Sequence, residues 1–497
     1  MIEQSINEFL PGETSLLWMR QRTLWYNGHR YLRFSGEGSP KIGTRYVRQT
    51  GQHKHKRAYG NYAERIARAN SRSLNRLEKD ATDFIKQTAS QFARCMPVVS
   101  FSGGKDSVVV SHLVRKALQT DRIVHIFGDT KNEFPDTYDF IRLLRAHNPS
   151  IPFVEEKSDR DWFDMCDTLQ PPSRLTAWCC SVFKATSIAK AIQRTSAEGQ
   201  VLCFEGVRRS ESTRRRNRPA IAHKNKIARQ ILARPILYWR EVDVWVYTLA
   251  NRLPINMAYK RGLTRVGCLN CPYHTPRIDW WLQAVYPNHT NRWKKYIIEY
   301  ARNKLGKDDP EDYWSSGAWK ARVGNNGSKP RGQLDSRPCI DDDSVNFMLQ
   351  RDFDSKALMN FLRPFGKVEK EDTSLGSYLK VSRNGILLFL IWGVDGFPRA
   401  KLTVFEHSAP RVLTQQITRQ LRKYQACVYC GMCEVVCKYG SISVRTDPDE
   451  YVVDNETCIS CLDCVVGNRI KGICVAINTS YGKPRQPNHA ARQINKA

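Results

Sequence analysis

The stretch Val98-Val-Ser-Phe-Ser-Gly-Gly-Lys-Asp-Ser-Val-Val-Val-Ser-His112 decides how the rest of the chain is read. A short apolar run, Val98 to Phe101, has the character of a buried strand. The chain then turns at Ser102-Gly103-Gly104, and from Asp106 the apolar residues recur at helical spacing through Leu118. A strand feeding a glycine-rich turn and a helix N-terminus is an anion site. Glycine lets the backbone approach the ligand, and the unpaired N–H groups and helix dipole attract phosphate. The run is not a Walker loop, because Val99 stands where that pattern needs glycine and Asp106 where it needs Ser or Thr. The dinucleotide pattern GxGxxG is also missing. The alternative reading is an ordinary tight strand-to-helix turn.

Bulk properties narrow the class. A chain of 497 residues is too long for one ordinary domain, so three or four are expected. Hydrophobic residues make up 41%, enough for real cores. The 78 Lys and Arg outnumber the 49 Asp and Glu by 29, which reads as attraction to a polyanion, nucleic acid first. The N-terminus, Met1-Ile-Glu-Gln-Ser-Ile-Asn-Glu, has no basic n-region and no apolar h-region. The longest strongly apolar run, Ile386 to Val394, is too short for a bilayer. The expectation is a cytoplasmic, reducing setting with no membrane partner, where 16 clustered cysteines hold metal more often than disulfides.

Outward from the loop, residues 96–300 read as alternating strand and helix, the pattern of a parallel sheet covered on both faces. Arg122-Ile-Val-His-Ile-Phe127 is a second buried strand, ending in Gly128-Asp129-Thr130-Lys-Asn-Glu133-Phe134-Pro135-Asp136-Thr137. Ligands of open α/β sheets sit at the carboxyl ends of strands, so Asp129 and Glu133 are placed to meet ribose or a magnesium ion on phosphates. Helix-capping carboxylates are the alternative. Val201 to Val207 is a third strand, running into Arg208-Arg-Ser-Glu211-Ser212-Thr-Arg214-Arg-Arg-Asn-Arg218. A fixed guanidinium at a strand end suits phosphate or sulfate, and the arginines beyond Arg208 exceed what one nucleotide needs.

These segments together resemble the PP-loop ATP pyrophosphatases, whose signature is SGGxDS. Within that superfamily they resemble the adenylylsulfate and phosphoadenylylsulfate reductases. Ser102–Ser107 match the loop, Asp129–Thr137 are similar to a DTxxEFPET segment, and Gly206, Arg208, Glu211 and Ser212 match a GxRxxES segment. Pro235 to Trp245 resembles the segment that closes the domain. The resemblance implies an α/β fold of the adenine nucleotide alpha hydrolase kind. ATP or adenylylsulfate with Mg2+ would bind at Ser102, Gly103, Gly104, Lys105, Asp106, Ser107, Asp129, Glu133, Gly206, Arg208, Glu211 and Ser212. Lys105, Asp106 and Arg208 would carry the chemistry: loop amides hold pyrophosphate, Asp106 or Asp129 assists magnesium, and Arg208 holds the α-phosphate or sulfate.

Cys179-Cys180 and the distant Cys268-Leu-Asn-Cys271 supply four thiolates, the set that a tetrahedral zinc or a [4Fe–4S] cluster requires. Composition leaves the metal open. The CC…CxxC pattern resembles the cluster site of plant and bacterial adenylylsulfate reductases and of DndC-like DNA phosphorothioation proteins, which implies one cluster here. Cys427-Val-Tyr-Cys430-Gly-Met-Cys433-Glu-Val-Val-Cys437 is the bacterial ferredoxin run, followed by Cys458-Ile-Ser-Cys461-Leu-Asp-Cys464 and Cys474. In such runs three cysteines bind one cubane and the fourth ligand comes from the other half. Cys427, Cys430, Cys433 and Cys474 are therefore expected on one [4Fe–4S] cluster, and Cys437, Cys458, Cys461 and Cys464 on a second. Lys438 replaces the usual proline, and the gap from Cys464 to Cys474 is long.

The expected organisation is a basic N-terminal region (1–95), the PP-loop domain (96–300) and a linker (301–345). A small α+β domain (346–424), a ferredoxin-type domain (425–478) and a tail (479–497) follow. In the first region Leu16 to Tyr26 and Arg30 to Phe34 read as strands around an Asn27-Gly28 hairpin turn. The run His53-Lys-His-Lys-Arg57 and a helix with Arg65, Arg68, Arg72 and Arg76 form either a nucleic-acid arm or a solvated helix face.

Two functions compete. One is a sulfur-inserting ATP pyrophosphatase of the DndC kind acting on nucleic acid, DNA before tRNA. Its partners would be a cysteine desulfurase or another sulfur donor, and an electron donor. The other is a sulfonucleotide reductase that releases sulfite with electrons from its own ferredoxin domain. Reductases of that family carry a nucleophilic cysteine in an ECGxH segment. This sequence has none, Cys339 being the remaining late cysteine.

Overall fold

The computed structural model describes residues 17–20, 23–26, 29–33, 62–174, 176–196, 199–223, 226–320, 332, 334–339, 344–406, 408–466 and 474–480. The basic run 53–57, the stretches 324–330 and 341–343 and the tail beyond 481 lie outside them. The chain divides into two compact units.

The first unit takes in residues to 157, then 190–225 and 229–296. Strands β1 (Leu17–Arg20), β2 (Thr23–Tyr26) and β3 (His29–Arg33) form a small antiparallel sheet. Strands β2 and β3 pair antiparallel with Tyr26 opposite His29, the expected Asn27-Gly28 turn lies outside the described residues, and the expected first strand is divided between β1 and β2. The main sheet is built from β4 (Met96–Ser100), β5 (Val124–Asp129), β6 (Phe153–Lys157), β7 (Val201–Glu205), β8 (Ile221–Ala222) and β9 (Gln230–Ala233), in the order β6-β5-β4-β7-β9-β8. All pairings are parallel except β8 with β9. The first strand in sequence is thus central, with later strands added on both sides. That arrangement puts the crevice for a ligand at the carboxyl end of β4, where the glycine turn lies. Buried strands of this kind read as continuous apolar runs, as in Val201–Phe204, which is wholly buried. Strand β6, Phe-Val-Glu-Glu-Lys, is an edge strand and escapes that pattern.

Helix Ser71–Gln91 buries Leu74, Ala81 and Ile85 in the same core as the loop helix Lys105–Leu118. Its Glu78 pairs with Lys116 and accepts a hydrogen bond from the Tyr247 hydroxyl at 2.8 Å. The expected boundary at residue 95 therefore moves: this helix belongs to the sheet's own core, while its arginines, Arg72 and Arg76, remain exposed.

The second unit takes in 158–189, 226–228 and 297–497. Its antiparallel sheet has the order β10-β11-β15-β14-β13-β12, from β10 (Asp335–Pro338), β11 (Ser344–Met348), β12 (Lys367–Thr373), β13 (Gly376–Arg383), β14 (Ile386–Gly393) and β15 (Arg399–Val404). Helices Ser355–Leu362 and Pro410–Ala426 pack together and help cover the sheet. The stretch expected as linker, 301–345, is partly structured: it holds helix Pro310–Ser315 and edge strand β10. Strands β16 (Ile442–Thr446) and β17 (Asp449–Val453) form a hairpin between the two cysteine runs.

Candidate active site

The loop after β4 is held from several sides within the first unit. Gly103 has φ +70°, and a Cβ there would come within 3.1 Å of Thr137 Cγ2. Its carbonyl accepts a hydrogen bond from Asn256 Nδ2 at 3.2 Å. The Ser107 hydroxyl donates to the Gly104 carbonyl at 2.8 Å, and the Ser102 N–H donates to Ser107 Oγ at 3.3 Å. The end of β7 closes on the helix start, since a Cβ on Gly206 would lie 2.7 Å from the Asp106 carbonyl carbon. Only glycine allows that approach.

The charges at the loop are already paired. Lys105 is 8% exposed, with Nζ 3.4 Å from Asp106 Oδ2 and 3.3 Å from Glu241 Oε1, over the rings of Tyr259 and Trp245. Arg208, 4% exposed, donates from Nε to Asp106 Oδ1 at 2.5 Å and from Nη1 to Ser210 Oγ at 3.2 Å. Its Nη2 lies 3.6 Å from Glu211. The guanidinium expected on a phosphate is therefore committed to tying the β7 end to the loop helix. The Lys105 N–H, expected on pyrophosphate, donates instead to the Tyr259 hydroxyl at 3.1 Å. Neither Asn256 nor Tyr259 was legible beforehand, because nothing local in their sequence marks a contact made across more than 150 residues.

Asp129 ends β5, is 7% exposed, and accepts from the Lys131 N–H and the Tyr138 hydroxyl, each at 2.7 Å. Burial, then the Asp129 carboxylate, pushes the Tyr138 phenol far above its ordinary range. Glu133 accepts from the Thr130 hydroxyl at 2.9 Å. The Cys268 loop docks on this strand end: Cys268 bridges to Glu133, its Sγ lies 3.7 Å from Glu133 Oε1, and the Leu269 N–H donates to the Asn132 carbonyl at 2.6 Å. Cys268 and Cys271 thus sit beside the expected nucleotide residues. Around Arg208 more cations crowd. Arg215 pairs with Glu211, and burial, then Arg265 and Arg218, pushes its pKa down. Arg209 lies over the exposed ring of Tyr238, and Arg214 over Tyr273.

Cys179 and Cys180 belong to the second unit. Cys179 caps a π-helical turn, Cys180–Ala185, in which Phe183, with Trp178 just before the turn, packs against Trp162. Trp178 Nε1 donates to the Gln170 carbonyl at 2.9 Å, fixing the turn. In the same unit the later cysteines raise one another's pKa. Burial, followed by Cys433 and Cys474, pushes the Cys430 thiol up to about 12. Cys474 is pushed to about 11 by burial and Cys433, and Cys427 rises for the same reasons. Burial, then Cys437 and Cys461, raises Cys458. Cys464 is pushed up to about 12 by burial, and by Cys433, Cys437 and Cys458 against the opposing Lys423. Among the described residues no three His, Cys, Asp or Glu side chains could hold a single metal ion. Four thiols in each set is instead the ligand count of a cubane, so the donor chemistry fits [4Fe–4S] clusters.

A parallel sheet with a glycine loop at its switch point and paired Lys105, Asp106 and Arg208 beneath it defines a PP-loop nucleotide domain. Residues 96–274 match the family model of the phosphoadenosine phosphosulfate reductase domain. A protein of unknown function from Methanocaldococcus jannaschii is 30% identical over 55% of this chain and 56% of its own length. The chain thus spans little more than half of that relative. Adenosine 5'-phosphosulfate reductase from Staphylococcus haemolyticus is 28% identical over 35% of this chain and 69% of that enzyme. Among solved structures, a phosphoadenylyl-sulfate reductase from Candida auris aligns over 39% of this chain and 93% of its own, with 20% identity and TM-score 0.29. No helix among the described residues is long and apolar enough to cross a membrane.

Proposed function

We propose that the chain is an ATP pyrophosphatase and sulfurtransferase that activates nucleic acid for sulfur insertion, with DNA phosphate as the substrate. A nucleic-acid oxygen attacks the α-phosphorus of ATP and pyrophosphate leaves. The terminal sulfur of a persulfide then attacks the adenylylated nucleic-acid phosphorus and AMP leaves. Two electrons from the electron donor, delivered one at a time, cleave the remaining S–S bond to give the phosphorothioate and the carrier thiol. Ser102, Gly103, Gly104 and Ser107 bind pyrophosphate, and Asp129 or Asp106 assists magnesium. Arg208 holds Asp106 in place. Cys179, Cys180, Cys268 and Cys271 would hold one cluster and the two later sets would hold two more. These groups would supply one-electron chemistry that keeps the sulfur carrier reduced.

The observation that carries this reading is the state of the remaining thiols. A reductase needs an attacking thiolate, since the thiolate is the nucleophile. Burial raises Cys95 and Cys166 and pushes Cys203 up to about 12, which disfavours a thiolate at three of the four cysteines outside the candidate ligand sets, the fourth being Cys339. The net charge of +29 and the pairs Arg209–Tyr238 and Arg214–Tyr273 favour a polyanion with bases to stack on.

The resemblance to adenylylsulfate reductases supports a second reading, in which Cys339, half-buried after β10, is the attacking group. Anaerobically purified protein given magnesium ATP decides between them. Release of AMP and pyrophosphate, stimulated by DNA over tRNA, is the expected result. No ATP turnover, with sulfite released from adenylylsulfate and lost in Cys339→Ser, would establish the reductase.

A further inference from the structure

We propose that the arginine loop 208–218, with Tyr238 and Tyr273 against it, is a docking surface for an unpaired segment of DNA. Each tyrosine would stack on a base, and the arginines would hold the phosphates between them. The inference rests on the reading of DNA as substrate. It adds the form in which the strand is taken, single rather than duplex.

The contacts all lie within the first unit. Residues 208–218 hold six arginines and one acid, Glu211. That acid is taken by Arg208 and Arg215. Among the described residues Arg209, Arg214, Arg216 and Arg218 pair with no carboxylate. Arg265 adds a further cation, and after burial it is the main cause of the lowered pKa of Arg215. Like charges crowded in this way are relieved by a polyanion laid across them.

The loop is fixed before any ligand arrives. The Arg209 N–H donates to the Leu237 carbonyl at 2.8 Å, beside Tyr238. The Arg215 and Arg216 N–H groups donate to the Ser212 carbonyl at 2.9 and 3.1 Å, and the Arg218 N–H to the Arg215 carbonyl at 3.1 Å. At the far end Arg234, 3% exposed, donates from Nη1 to the Pro219 carbonyl at 2.5 Å and from Nε to Glu205 at 2.6 Å. The Arg209 guanidinium donates to the Arg218 carbonyl from Nε at 3.4 Å and Nη2 at 3.3 Å, and its carbon lies 4.6 Å from the centre of the Tyr238 ring. Tyr238 is 70% exposed, so its ring has a cation on one side and water on the other. Tyr273, 37% exposed, has Arg214 at 5.8 Å from its ring centre.

Exposed rings beside a fixed cationic track are stacking platforms for bases. The bases of a duplex already stack on one another, so only unpaired bases can use them. The track also begins at the candidate nucleotide site. Glu211 joins Arg215 to Arg208, and Arg208 is joined to Asp106 of the loop helix. A strand laid on it carries its phosphates toward the loop where ATP would be attacked.

The test is fluorescence anisotropy of the full, anaerobically purified chain with a labelled single-stranded DNA of mixed sequence, its blunt duplex and the RNA of the same sequence. The DNA single strand should bind most tightly. Tyr238→Ala should weaken it by about fivefold to a hundredfold, with the duplex and the urea midpoint unmoved, and Tyr238→Phe should bind as wild type does. Arg216→Gln should reduce the slope of log affinity against log salt by about 0.7, whereas Tyr238→Ala should leave that slope alone. Wild-type affinity in both Tyr238→Ala and Tyr273→Ala, or a duplex or RNA bound more tightly than the DNA strand, overturns the surface. So does a loss confined to Arg72→Gln/Arg76→Gln, which would put the strand on the N-terminal helix. In each case the sulfurtransferase reading stands if DNA still stimulates AMP release. A chain whose ATP turnover responds to neither form of DNA overturns that reading and the surface together.

Discussion

The loop Ser102–Ser107 and the two late cysteine sets differ in what holds them. At the loop, Lys105, Asp106 and Arg208 are nearly buried, and each charge has an opposite partner within 3.4 Å. Burial there costs little because the charges neutralise one another, so the cradle keeps its shape before any ligand arrives. At the cysteine sets, burial and like neighbours push the thiols up, to about 12 for Cys430 and Cys464. A metal bound there would have to displace these protons, and its binding would supply the energy that organises the set. One site is preorganised by the fold, and the other, on the proposed reading, would be completed by a cofactor.

The largest expected effect tests the second half of that contrast. Cys433→Ser removes a ligand from the first set, and iron uptake should fall by one whole cluster. Cys339→Ser, outside both sets, should leave uptake unchanged. Equal iron in the two variants, measured by colorimetric assay, would mean that the sets do not hold metal. The other half is tested by Asp106→Ala, which takes the Nε partner from Arg208 at 4% exposure and leaves its guanidinium only the more distant Glu211 carboxylate, 3.6 Å away. Breaking a buried pair from one side costs about 3–5 kcal/mol. Denaturant unfolding should show the first unit weakened by that order, with Asp106→Asn weakening it less. A stable Asp106→Ala protein would show that the cradle is not held by its charges.

Helix Ser71–Gln91 sharpens where the preorganised region begins. Ile85 is fully buried against the loop helix's core, so Ile85→Ala should cost about 2–5 kcal/mol. A solvated helix face would lose only about 0.5 kcal/mol or less.

The preorganised unit should also carry a pH dependence of its own. His125, fully buried, contacts Ser111 Oγ at 2.7 Å and the Ile123 carbonyl at 2.8 Å. Burial pushes its pKa down to about 4. The unfolded chain, with an ordinary histidine near 6.5, binds a proton that the folded chain refuses. His125 therefore costs nothing above pH 6.5, and stability is lost as pH falls from there toward 4, at up to about 1.4 kcal/mol per pH unit. His125→Gln should flatten that slope in urea midpoints taken across the window.

How much of this was legible follows the same division. The loop could be read because its chemistry is local: glycine, Lys105, Asp106 and Ser107 are contiguous. The cysteine spacing is likewise a local signal, and it is the sequence spacing that carries the expectation of two clusters. Strand β14 lies in the apolar run Ile386 to Val394, a signal carried by contiguous residues. What escaped was non-local or charged. Edge strands β6 and β12 carry Glu and Lys because one side faces water, so their pattern looks like a loop. The pairing of Arg208 with Asp106 escaped because sequence shows a cation at a strand end but not its partner.

The smallest effect concerns the Lys105 amide, whose partner comes from a distant part of the chain. The Lys105 N–H donates to the Tyr259 hydroxyl, and a Cβ on Gly104 would lie 3.3 Å from that same oxygen. A pyrophosphate oxygen seeking this amide must displace the hydroxyl. Tyr259→Phe keeps the ring over Lys105 and removes only the competitor. It should cost about 1 kcal/mol of stability for the lost hydrogen bond. Pyrophosphate, measured by calorimetry, should bind as well as to wild-type protein or several-fold more tightly. If binding weakens instead, the hydroxyl is a ligand to the phosphate rather than its placeholder, and the cradle is less complete without its substrate than the charge pairs suggest.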